Sequence, residues 1–163
     1  MATSGGYIAG DVRAGWAVTI SPQVFKTIEG LMDLTIPKLV SDKIDTTRYG
    51  VSRLHTNIPG LDTVTDPVLK LIRDASAVSS PNQQLLYALK TARTSSFWRF
   101  EVAAQDDPSV NLFEAYEGYF RVSEIGPSVQ VGTLNMIEVT LVFDGNYFNH
   151  QVPAVSQLGP NPW

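Results

Sequence analysis

The chain has no cysteine, which removes disulfides, thiolate metal sites and thiol nucleophiles from consideration. Histidine is almost as scarce: His55 and His150 are the only two, they lie far apart, and neither sits in an H-x-x-E or H-x-H spacing that would hold zinc or iron. Charge is thin as well, at 17% Asp, Glu, Lys and Arg against roughly 25% in ordinary domains. Lys and Arg stand singly, never in a run, and the net charge is −4, so the basic patch that grips phosphates is missing. There is no G-x-G-x-x-G and no G-x-x-x-x-G-K-[ST]. The nearest approach to a nucleophile elbow, Gly50-Val51-Ser52-Arg53-Leu54, lacks its second glycine. No apolar run reaches the length of a membrane span, and the opening MATSGGYIAGDVRAG does not read as a secretory signal. These absences point away from an enzyme, a cofactor or a membrane role. They leave a product that works, or is assembled, inside a cell.

What is present is strand pattern. At 163 residues the length suits one domain spanning 1–163. Residues 1–15, with Gly5, Gly6, Gly10 and Gly15, read as a mobile N-terminal arm. WAVTIS (16–21) reads as a strand; in the stretch from 22 to 44 Val24, Ile28 and Leu31 fit a helical face, but the alternation of Met32, Leu34 and Ile36 favours two strands turning near Glu29-Gly30. TVTDPVLKLIRD (63–74) reads as another, with Pro67 at its edge or beginning because proline cannot donate to a ladder. SPNQQLLYALKTAR (80–93) is the helix: Ser80 caps it, Pro81 takes its first position, Gln83 completes a capping-box spacing, and Leu85, Leu86 and Leu89 form its apolar stripe. SFWRFEVA, LFEAYEGYFRVSEI and LNMIEVTLVFDG alternate apolar and polar residues as antiparallel strands do. Residues 146–163, which include Pro153, Pro160 and Pro162, read as an extended tail. The fold class expected is mainly β with one flanking helix, an antiparallel sandwich or barrel.

Between the strands lies DTTRYGVSRLHTNIPGLD (45–62), polar, aperiodic and long enough to suggest function. His55 with Ser52 and Asp62 makes a nominal triad, but a loop histidine bonding locally or meeting solvent is by far the better account. Asp106-Asp107 reads as a turn before it reads as a cation site. Phe97, Trp98, Tyr116, Tyr119 and Tyr147 lack the positive groove of a base-stacking platform, and read as core and interface.

Two stretches resemble the tail tube (major tail) proteins of tailed bacteriophages. The first is Ile44-Asp45-Thr46-Thr47, then a long polar loop, then Ile58-Pro59-Gly60-Leu61-Asp62 opening the next strand. The second is YFRVSEIGPSVQVGTLNMIEVTLVFDG (119–145), like that family's closing hairpin, with Pro127, Val129, Val131 and Gly132 in the connector and Thr133 where Asp is common. The resemblance spans roughly 16–146. It implies a β-sandwich-like subunit assembling into hexameric rings, stacked as a tube whose lumen passes genomic DNA without specific binding. It also implies a virion tail location, assembly in the host cytoplasm, and tape-measure, terminator, baseplate or tip, and sheath proteins as partners. In that setting Asp45, Thr46, Thr47, Arg48, Arg53, His55 and Asn57 are expected to form an inter-ring assembly loop. Alternation makes Glu101, Glu114, Glu117 and Glu138 candidates for the lumen wall. Two other readings stay open: a tube of a contractile injection or type VI-like machine, and a monomeric β-sandwich module binding carbohydrate or peptide.

Overall fold

The computed structural model describes residues 12–20, 23–46, 57–73, 81–103, 112–129, 131–132 and 135–158. In chain order they form β1 (Val12–Ile20), β2 (Gln23–Thr27), β3 (Leu31–Thr35), β4 (Leu39–Asp45), β5 (Asn57–Val64), β6 (Val68–Ile72), α1 (Pro81–Ala92), β7 (Ser96–Ala103), β8 (Leu112–Ser128) and β9 (Met136–Val155). Seven strands make one antiparallel sheet in the order β2-β1-β7-β8-β9-β6-β3, and β4 pairs with β5 in a sheet of their own.

Two strands do meet at Glu29-Gly30, where Gly30 takes φ 74°. They do not pair with each other. β2 lies at one edge of the sheet and β3 at the other. The short link Ile28–Gly30 therefore ties the two edges together: Ile28 N donates to Ala14 O at 2.8 Å, and Ile72 N donates to Gly30 O at 2.8 Å. A sheet whose outermost strands are three residues apart in sequence has to curl. Inside the curl, Trp16, Leu31, Leu71, Trp98, Phe120 and Leu141 from six different strands share one buried cluster with Leu86 of α1. Each contributes about 1.5–3 kcal/mol by leaving water. This is the antiparallel sandwich-like architecture with one helix that the alternation implies.

The helix matches its sequence signals in extent, but its buried face is shifted. Leu86 is buried and Leu89 partly so, while Leu85 is exposed. Gln83 is buried instead, its amide nitrogen donating to Ile72 O at 2.8 Å and Glu29 O at 3.2 Å, so it fastens the helix to the edge-joining link. The single strand expected over 63–74 is two, broken before Pro67, whose carbonyl accepts from Leu141 N at 3.0 Å.

Both termini carry more regular structure than the sequence suggests. β1 begins at Val12, so residues 12–15 of the supposed arm are sheet. The supposed tail continues as β9 to Val155, paired with β8 as far as Leu112↔Val155. The register explains why no period was visible. From Gly118 to Phe120 β8 advances two residues, while β9 retreats five, from Phe148 to Phe143. The extra residues form a bulge in which Gly145 takes φ 77°, and the bulge presses the Tyr147 carbonyl onto Gly118. A Cβ at Gly118 would lie 2.6 Å from Tyr147 O and 3.0 Å from Phe120 Cε2. Gly118→Ala should therefore cost about 1–3 kcal/mol in urea unfolding, as overpacking does; an unchanged midpoint would mean the bulge yields freely.

Candidate assembly arm and the surfaces around it

β4 and β5 form a two-stranded arm standing apart from the main sheet, in register from Leu39↔Val64 to Asp45↔Asn57, with an irregularity between Ser41 and Lys43. Lys38 and Thr65 anchor its base, Lys38 N donating to Thr65 Oγ1 at 2.8 Å and Thr65 N to Lys38 O at 2.9 Å. Val64 packs against the core. Beyond the base the arm is exposed on both faces, yet Leu39, Val40, Ile44, Ile58 and Leu61 are apolar, and Leu61 is 81% exposed. A free two-stranded hairpin is marginal in water, and its open edges and apolar side chains invite a covering partner.

The expected loop 45–62 is corrected here: Asn57–Asp62 belong to β5. Pro59 and Gly60 had disguised the strand, and full exposure leaves it no alternation to read. Of the residues expected in the assembly loop, Asp45 and Asn57 face each other at the far end of the described arm, and Thr46 follows Asp45. Thr47, Arg48, Arg53 and His55 lie outside the described residues, as do Ser52 and Asp106-Asp107.

The four acidic candidates fall into different surroundings. Glu101 is fully buried and Glu117 nearly so, which corrects their assignment to an open wall. Alternation places both on the second face of the sheet, but that face is covered. Between them lies Arg99, also fully buried, with Nε 2.6 Å from Glu101 Oε1 and Nη1 bonded to Glu117 Oε1. The segment after β9 closes the cluster. Ser156 Oγ donates to Glu101 Oε2 at 2.6 Å, Gln157 N to Glu101 Oε1 at 2.9 Å, and Arg99 Nη2 to Val155 O at 3.2 Å. Arg13 reaches Ser156 Oγ at 2.9 Å and Leu158 O at 3.1 Å, with its guanidinium 4.6 Å from the Phe113 ring centre. Leu158 is buried against Gly15. Sequence reasoning missed this strap, although R-x-E on one strand opposite a glutamate on the next was a visible cue: Arg99 and Glu117 are register partners.

Glu114 is half-buried at the mouth of an apolar groove of about 640 Å³, formed by Ile36, Pro37, Leu39, Val102, Tyr116 and Phe148. It accepts from the Tyr116 hydroxyl at 2.5 Å and bonds His150 Nε2 at 2.8 Å, while the His150 ring stacks on Tyr116 with centroids 4.4 Å apart. Glu138 is half-buried in a separate polar groove beside Lys90, Ser123, Glu124, Ser128 and Thr140.

No protein-family model matches this chain, and no curated protein does. Solved structures do. A chain from the virion of a native gene transfer agent particle superposes with TM-score 0.62 at 12% identity, over 90% of this chain and 100% of that one. The SPP1 tail tube protein gives 0.63 at 9%, over 93% and 82%. A chain of the PVC extracellular contractile injection system's sheath/tube terminator gives 0.67 at 13%, over 93% and 100%. The fold is thus the one found in phage tail tubes and contractile injection systems, as the resemblance in sequence implied.

Proposed function

We propose that this chain, sharing the tail-tube fold, is a structural subunit that assembles with copies of itself into rings stacked as a virion tail tube. The observation that carries the reading is the arm: two exposed strands that touch the core through Val64 and leave their other apolar side chains largely uncovered. In the proposed assembly the edge strands β2 and β3 meet neighbours within a ring of six, and the arm reaches the next ring. A knob and its receptor at different places on one subunit make head-to-tail contacts, which propagate. The net charge of −4 suits a bore through which phosphates slide without binding. Glu138 and its neighbour Glu124 are the acids proposed for that wall, since Glu101 and Glu117 are enclosed by their own chain. Tape-measure, terminator and baseplate proteins are the partners proposed at the ends of the tube.

Negative-stain electron microscopy across a concentration series, with light scattering, tests the reading. Rings or hollow tubes of uniform diameter are expected; a monodisperse 17.9 kDa monomer at every concentration overturns it. The likeness to the injection-system terminator favours one variant of the reading, a tube in a contractile injection machine. Nucleic acid copurifying inside native particles would decide for the phage tail.

A further inference from the structure

We infer that the groove at Glu114 and His150 is the receptor for the arm of a second copy of this chain; the inference rests on the tube reading and supplies its missing half. The groove is apolar where the arm is apolar. Ile36, Pro37, Val102 and Phe148 line it, and the arm offers Ile44, Ile58 and Leu61, each at least half exposed. An arm cannot enter its own groove, because Ile36–Leu39, the approach to β4, forms part of the groove's wall. Leu39, 58% exposed, belongs to both surfaces, so a visiting arm would meet one continuous apolar strip running from the groove onto the resident arm.

The groove's acid is already engaged, Glu114 being held by Tyr116 and His150, so its free lining is chiefly apolar. The stacked Tyr116–His150 pair, with Phe148 6.4 Å from Tyr116 by ring centres, gives the wall a flat, prearranged surface. At about 640 Å³ the groove has room for several side chains at once. That matches a strand laid along it better than a single inserted residue.

The lack of cysteine makes the test clean. Leu61→Cys changes an exposed residue of the arm, and Asn149→Cys a partly exposed residue lining the groove. The two variants are purified separately, mixed, brought to the concentration at which the parent forms rings or tubes, and oxidised. Expected is a covalent dimer in the mixture at least tenfold more abundant than in either variant alone. Rings or tubes without that dimer would overturn the groove and leave the tube reading standing. Equal dimer in a single variant would also overturn it, because the arm would then be meeting an arm. A parent that never assembles would overturn both.

Discussion

Arg99→Met is expected to lower the unfolding free energy by about 3–5 kcal/mol, because it strands buried carboxylates without their countercharge. Glu101 and Glu117 are both held by that one guanidinium, and a third contact from it secures the Val155 carbonyl. Against a typical total stability of about 5–15 kcal/mol the loss is large. Urea unfolding followed by tryptophan fluorescence reads it directly, since Trp98 neighbours Arg99 in β7. Arg99→Met/Glu101→Gln/Glu117→Gln should recover most of the deficit, because the orphaned charges go with the arginine. A single variant that loses less than about 1 kcal/mol would mean the cluster is weakly coupled to folding.

The second large effect runs the opposite way, with folding spared and assembly lost. Ile44→Thr/Ile58→Thr/Leu61→Thr keeps strand-favouring residues in the arm but removes its apolar contacts. All three side chains are at least half exposed, so each change should move stability by no more than about 0.5 kcal/mol. Burial in an assembly is worth about 1.5–3 kcal/mol for each such side chain. Losing three should raise the concentration needed for tubes by more than a hundredfold, at about 1.4 kcal/mol per factor of ten. Sedimentation at graded concentrations measures the threshold. A variant that polymerises like its parent would show that the arm is not what holds copies together.

The parts of the molecule legible in sequence were those whose two faces differ in residue type, apolar on one side and polar on the other, whether or not the polar side is wet. β7, much of β8 and the first half of β9 alternate, and α1 carries its start signals in plain view. The arm was illegible for a simple reason. β4 and β5 are exposed on both faces in the subunit, so burial imposed no period on them, and Pro59 with Gly60 looked like a turn. The second half of β9 was hidden by the bulge at Gly145, which breaks the register a reader follows. The buried charges were read as surface because alternation tells which face a residue takes, not what later covers that face. Covering came from Ser156, Gln157 and Leu158, far along the chain and apparently featureless. Only the pairing of Arg99 with Glu117 across neighbouring strands could have been suspected beforehand.

That strap also sets a timetable for synthesis. Arg13, in the first strand of the sheet, waits for Ser156 and Leu158, separated from it by 143 and 145 positions in sequence. While the chain is still emerging from the ribosome, its amino-terminal strand has no lid, and Glu101 lacks two of its donors. Completion of the second face is therefore deferred until the residues through Leu158 have cleared the exit tunnel. Contacts this distant in sequence close slowly. The strap is thus a late-closing latch, sealing the second face of the sheet after the strands beneath it are laid down.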